Sequence, residues 1–359
     1  MTPAAAASRT LAWAFGEPEV EAVFKLAPED FRVIEELGFA LTGSGEHACL
    51  RIRKTGVTTQ DVVRLLARRA GIREFDVGYG GLKDKQGVCE QWFSLYQPVP
   101  APLLLDDFAE RGIEVLESCR NSRKLRRGSH KVNRFRIRLR NPQWRNGCAG
   151  GASALQALEG RLALVASRGV PNYFGEQRFG RDMGNVAQAR QLFAGELRMA
   201  KGYKRGLLLS SARSQVFNEV LSERVRQQVW DAWLEGDVWN LNGSDSVFKA
   251  PQWTDELRAR LQAFDIHPTG PLWGTGILCS SADTKALELA TGAQWQDLCE
   301  GLEAAGLSQA RRALRLVVQD LRWQAMDSGD LDIEFALPPG TYATTVLREV
   351  CILKEAVKE

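Results

Sequence analysis

Residues 133–140 read Asn-Arg-Phe-Arg-Ile-Arg-Leu-Arg, with cation and apolar residue in strict alternation from Arg134 onward. A period of two belongs to an extended strand, because a helix would spread these residues around its whole surface. Phe135, Ile137 and Leu139 then share one face and four arginines the other. The apolar face has to be covered, so the chain must build a sheet with at least one packed side. The cationic face has two readings, solvent or a polyanion. From Arg120 to Arg140 there are ten Lys or Arg residues and no Asp or Glu. Like charges repel, so a polyanionic partner rivals a solvated face. The whole chain carries only +3, and any such signal is therefore local.

A second feature is the loop Gly81-Leu82-Lys83-Asp84-Lys85-Gln86-Gly87, followed by Glu90-Gln91-Trp92-Phe93-Ser94-Leu95. One aspartate stands between two lysines inside glycine boundaries, directly before a segment with strand character. A carboxylate that attacks a substrate must stay ionised, and flanking cations favour that state. They also steer polyanions toward it. On these residues alone a solvated hairpin tip is the plainer reading.

At 359 residues, with 44% hydrophobic and 25% charged residues, the chain is expected to fold as two soluble domains. Its seven cysteines form no Cys-x-x-Cys pair, which argues against a zinc ribbon, a thioredoxin-like site or a disulfide framework. Reduced thiols in a cytoplasmic protein are expected. His47, His130 and His267 are far apart in sequence, and His-Glu-x-x-His is absent. The alanine run at 4–7 lacks the basic start and long apolar core of a signal peptide. No apolar run approaches a membrane span.

Strands are expected at 31–35 and 47–53. A helix follows from Thr58, where Thr58-Thr59-Gln60-Asp61 resembles a capping box and Gly71 marks the end. Phe75, Val77 and Tyr79 alternate as a strand into Gly80-Gly81, so Asp84 falls in a loop between two strands. Helical segments are expected from 153, and at 185–195, 214–235, 282–290, 295–305 and 308–316. Strands return at 321–323 and 331–335. Strand character at both ends around a helical middle suggests one domain inserted into another.

Six motifs together resemble the TruD-type tRNA pseudouridine synthases. They are Pro28-Glu29-Asp30-Phe31-Arg32-Val33, residues 81–95, Lys124-Leu125-Arg126 through Asn133-Arg134-Phe135, residues 169–180, Ser211-Ala212-Arg213-Ser214-Gln215-Val216-Phe217-Asn218, and Phe335-Ala336-Leu337-Pro338-Pro339-Gly340-Thr341-Tyr342-Ala343-Thr344. They follow the family's order and span nearly the whole chain. The resemblance implies an α+β fold: a permuted pseudouridine synthase core with a mixed or antiparallel sheet, plus an inserted α/β domain and a cleft between them. It places the core at 1–168 and 317–359 and the insertion at 169–316. It implies isomerisation of uridine in tRNA, typically at position 13 of the D-stem, without metal or organic cofactor. No membrane and no obligate protein partner are expected.

Carried over position by position, the resemblance makes Asp84 the catalytic carboxylate and Phe135 the aromatic that stacks on the flipped uracil. Phe31 and Tyr342 would line the pocket, and Asn133 would hydrogen-bond near the aspartate or the base. Lys25 and Lys83 would be partners of the carboxylate, and Arg123 to Arg140 would follow the RNA backbone. Two other classes compete. A non-catalytic RNA-binding protein would need neither Asp84 nor Asn133. An Asp-dependent hydrolase would want an acid/base partner or metal cluster, and no Asp-x-Asp lies near Asp84.

Overall fold

A computed structural model describes residues 11–100, 107–145 and 153–355. The alanine run at 4–7 and Cys148 lie outside them. Contacts divide the chain into two units. A sheet unit comprises Glu19–Leu162, Val318–Gly340 and Cys351–Glu359, and a helical unit comprises Met1–Pro18, Ala163–Val317 and Thr341–Val350. Among the described residues no helix is long and apolar enough to cross a membrane.

The sheet unit is built on ten strands: Val20–Phe24 (β1), Phe31–Leu37 (β2), His47–Thr55 (β3), Val77–Tyr79 (β4), Val88–Tyr96 (β5), Ile113–Asn121 (β6), His130–Trp144 (β7), Gln319–Ala325 (β8), Leu331–Leu337 (β9) and Ile352–Glu355 (β10). They run in the order β8-β9-β7-β2-β5-β3-β6, with β4 beside β5 and β1 beside both β7 and β10. The β2–β5 and β1–β10 pairs are parallel and the rest antiparallel, so the sheet is mixed.

The alternating segment of β7 dictates its register with β9. Phe135, Ile137 and Leu139 stand opposite Phe335, Ile333 and Leu331, and Arg136 and Arg138 opposite Glu334 and Asp332. Apolar meets apolar on one face and cation meets carboxylate on the other; a one-residue slip would set Phe against Glu. Arg138 holds Asp332 in two bonds of 2.6 and 2.7 Å, and Arg140 holds Asp30 and Asp330. Arg134 meets Glu36 and Asp320, and Arg136 meets Glu334. The cationic face that local sequence leaves without counter-charge is neutralised by carboxylates of β2, β8, β9 and their flanks.

The helix Thr59–Ala70 packs on β3, β4 and β5. Thr58 accepts a bond from the Asp61 amide while Asp61 accepts from Thr58, and Gly71 ends the helix at φ +63°. The expected capping box is present. Val62, Val63, Leu66 and Ala67 bury against Leu50, Ile52, Phe93 and Leu95. The strand expected from Phe75 begins only at Val77; Phe75 lies in a short 3-10 turn and is exposed.

The helical unit centres on Tyr203–Arg226, whose Leu208, Ala212, Val216, Phe217, Leu221 and Val225 are buried. Around it lie helices Gly184–Phe193, Ala282–Gln294 and Gln296–Ala304 and a four-stranded sheet that includes Val238–Leu241 and Ile266–Leu272. Residues 308–316 were expected to be helical. They form strands Ala310–Ala313 and Arg315–Leu316 instead, paired with Ile266–Leu272 and with Val170–Pro171. Long-range partners override the helical preference of Ala, Arg and Leu. Arg311 reaches Glu288 and Thr269, and Arg315 reaches His267 and the carbonyls of Leu261 and Ile266.

Candidate active site

The loop between β4 and β5 carries Asp84, and buried side chains hold its backbone from below. The Gly80 carbonyl accepts from Gly128 N at 2.7 Å, and the Gly81 carbonyl from the Gln91 amide. Lys83 N donates to Thr59 Oγ1 at 2.9 Å, and that hydroxyl donates to Gln91 Oε1. The Asp84 carbonyl accepts from Lys54 Nζ at 2.6 Å and from Cys89 Sγ at 3.5 Å. Lys54 is fully buried, and it also donates to the Val57 carbonyl at 2.8 Å. Burial pulls its pKa below the ordinary lysine value, partly opposed by the negative charge of Asp84.

Two glycines are needed because the loop runs so close to its support. A Cβ on Gly80 would sit 2.8 Å from His130 Nδ1, and one on Gly87 2.7 Å from the Phe31 carbonyl.

Above the loop, the Asp84 carboxylate meets Lys25. Nζ donates to Oδ2 at 2.8 Å, with the two side chains 16% and 30% exposed. The Lys25 ammonium also lies 4.0 Å from the centroid of Phe31 and 5.0 Å from that of Phe24. Lys25 has φ +57°, a left-handed backbone that costs a non-glycine residue roughly 1–3 kcal/mol. Tertiary contacts at Asp84 and Phe31 offset that strain. Among the described residues no donor meets Asp84 Oδ1, which leaves that oxygen available to a substrate.

The neighbouring Lys83 turns inward. Its ammonium donates to Asn133 Oδ1 at 2.6 Å and lies 3.0 Å from Glu35 Oε2, an ion-pair distance without hydrogen-bond alignment. Glu35 Oε1 accepts from Trp92 N at 3.2 Å. Asn133 Nδ2 lies 3.2 Å from His130 Nε2, which makes that nitrogen the acceptor and puts the ring proton on Nδ1. Burial and then the Lys83 charge lower the His130 pKa, keeping the ring neutral. Lys83 therefore serves the buried Glu35–Asn133–His130 group and does not pair with the Asp84 carboxylate. Lys25 does.

Phe31 and Phe135, 4% and 7% exposed, lie 6.0 Å apart between centroids, and Phe135 stacks on Phe335 at 5.3 Å. Lys25, Phe31, Asp84 and Phe135 are thus linked through direct contacts within the sheet unit, and Asn133 is joined to them only through Lys83, the chain neighbour of Asp84. Tyr342 belongs to the helical unit. Its ring packs on Gly175, and its carbonyl accepts from Thr345 at the start of helix Ala343–Val350. Tyr173, Phe174 and Phe179 of the 169–180 motif enter that unit's core.

Glu35, Lys54, Thr59, Gln91 and His130 were missed by sequence reading. Strand parity carried a signal for two of them. Glu35 falls on the face of Phe31 and Val33, and Lys54 on the face of Leu50 and Ile52. A charge at an apolar parity position is a buried charge and needs a partner.

The family profile of tRNA pseudouridine synthase D (TruD) matches residues 10–201 and 183–350. The chain is 44% identical to tRNA pseudouridine synthase D of Methylococcus capsulatus, over 94% of this chain and 93% of that protein. It is equally identical to those of Xanthomonas campestris, at 98% and 97% coverage, and Nitrosococcus oceani, at 98% and 96%. A solved structure from Methanosarcina mazei, a candidate tRNA pseudouridine synthase D, matches with a TM-score of 0.70 at 20% identity. It covers 94% of this chain and 95% of that one, and supports the fold. With a profile and relatives that span almost its entire length, the chain belongs to the tRNA pseudouridine synthase D (TruD) family.

Proposed function

We propose that this chain converts uridine 13 in the D-stem of tRNA to pseudouridine, with Asp84 as the catalytic carboxylate. Family membership makes it a tRNA pseudouridine synthase, an isomerase. The observation that carries the assignment of Asp84 is its carboxylate, held by Lys25 at 2.8 Å on a loop whose backbone is anchored by fully buried Lys54.

In the reaction the bond from C1′ to N1 of uracil breaks, the base turns, and C5 bonds to C1′. C5 loses a proton and N1 gains one, so the product is an isomer. Asp84 either attacks C1′ as a nucleophile or removes the ribose 2′-proton as a base; both roles begin from the carboxylate. Lys25 supplies its counter-charge and fixes which oxygen stays open. Flipping the nucleotide costs a few kcal/mol, and stacking on an aromatic side chain returns roughly 1–3 kcal/mol. Phe31 and Phe135 are the rings we assign to that pocket, and Asn133 the polar group beside it. The enzyme is assigned to the cytoplasm, where its free thiols stay reduced.

The test compares wild type with Asp84→Asn on unmodified tRNA, mapping pseudouridine by carbodiimide adduct and primer extension. The expected result is one modified uridine with wild type and normal binding without modification by the variant. A variant as active as wild type overturns the role of Asp84. Modification elsewhere in the tRNA overturns position 13.

A further inference from the structure

The helical unit carries a stack of three indoles that the proposed chemistry leaves unused. Trp239 and Trp253 lie 5.2 Å apart at 17°, and Trp253 and Trp233 5.7 Å apart at 12°. Exposure grows along the stack. Trp239 is 1% exposed in a cluster with Leu257, Leu261 and Ile266, Trp253 is half-buried, and Trp233 is 41% exposed. Trp239 and Trp253 serve the core, whereas Trp233 extends the stack toward solvent.

Trp233 and Trp253 line a groove of about 570 Å³, a size typical of small-ligand sites. Arg168, Arg258, Arg315 and Asp231 line it too. Arg168 grips Asp231 in two bonds of 2.9 and 3.0 Å, so these two charges cancel. Arg258 is open to solvent and holds only the exposed Asp255. Arg315 is buried, bonded to His267 and two carbonyls and set over the Phe264 ring at 4.5 Å; the nearby Asp231, already held by Arg168, acts on it only from beyond ion-pair distance. A buried cation without a counter-ion is costly, and an anion in the groove would relieve that cost. A neutral sugar would use the indole face but not the surplus charge.

We propose that this groove seats one unpaired nucleotide of the RNA substrate, its base continuing the stack on Trp233 and its phosphate facing Arg258 and Arg315. An unpaired nucleotide is specified because only a base outside a duplex offers its face to a side chain. The proposal rests on the reading that the substrate is RNA.

The test measures the Kd for unmodified tRNA and for a short unstructured oligoribonucleotide, and separately the single-turnover rate of pseudouridine formation at saturating enzyme. Trp233→Ala is expected to weaken both affinities roughly 5- to 150-fold, the range that loss of one base stack implies, with the saturated rate unchanged. Trp233→Phe, which keeps a stacking face, is expected to restore most of the affinity. Unchanged affinities in Trp233→Ala overturn the groove and leave the synthase reading intact. Conversely, Trp233-dependent RNA binding by a wild type that forms no pseudouridine retains the groove and removes the synthase reading.

Discussion

Replacing Lys54 with methionine tests whether the placement of Asp84 depends on a side chain that never touches the substrate. Methionine fills the space of the lysine stem and loses the ammonium. That ammonium donates to Asp84 O at 2.6 Å and Val57 O at 2.8 Å, with Lys83 O at 3.4 Å. A bond from a charged donor contributes about 1.5–3 kcal/mol, so the two short ones together give roughly 3–6 kcal/mol. Against them stands the effective cost of burying an ammonium, several kcal/mol. The two terms nearly cancel, leaving a net destabilisation of about 1–3 kcal/mol, the cost of stranded carbonyls. Catalysis should suffer as well. The Asp84 carbonyl keeps only the weak Cys89 thiol bond, and an ångström of displacement at the reacting atoms costs about 100-fold. Single-turnover pseudouridine formation at saturating enzyme should therefore fall about 100-fold, with the tRNA Kd from filter retention unchanged. A variant that stays within about threefold of the wild-type rate, well short of that penalty, refutes the reasoning. Thr59 and Gln91 would then be enough to hold the loop.

Two further outcomes follow from charges described above. Arg123 and Arg126 are exposed, without ion pairs among the described residues, whereas Arg138 is spent on Asp332. Arg123→Gln with Arg126→Gln should flatten the log–log salt dependence of tRNA affinity by about 0.7 for each phosphate that is no longer neutralised, and Arg138→Gln with Asp332→Asn should leave it unchanged. The reverse pattern refutes this division of the basic run. His267 is held neutral, its pKa pushed down from 6.5 to about 3 by burial and then by the Arg315 guanidinium. The unfolded chain takes up that proton near 6.5 and the folded one only near 3, so the stability present above pH 6.5 is lost as pH falls through that window. His267→Gln, which still accepts from Arg315, should remove this part of the acid dependence in urea unfolding followed by tryptophan fluorescence; an unchanged pH profile refutes it.

The fold was legible wherever the signal was local. The alternation of β7, the Thr58 capping box and the left-handed Gly71 each follow from a few adjacent residues. Residues 308–316 were misread because Glu288, Thr269 and His267, which make them strands, are distant in sequence. The same limit applied to the site. Asp84 stood out through its glycine-bounded loop, but the choice between Lys25 and Lys83 as its partner turns on Glu35, a buried carboxylate from another strand that draws Lys83 away. Local sequence likewise showed the arginines of β7 without the carboxylates that neutralise them.

Those carboxylates have a consequence for how the molecule is made. Asp320, Asp330 and Asp332 follow Arg134, Arg140 and Arg138 by 186, 190 and 194 residues. At a synthesis rate of ~5–20 residues per second, the cationic ribbon waits roughly 10–40 s for these three carboxylates. Through that interval Arg136 and Arg138 lack their partners, whereas Arg134 and Arg140 already have Glu36 and Asp30, which precede them in the chain. The pairing of β7 with β9 forms only when β9 arrives. A chain cut before Gln319 keeps Asp84 and every residue of its loop, but lacks the strand that zips the arginine ladder shut.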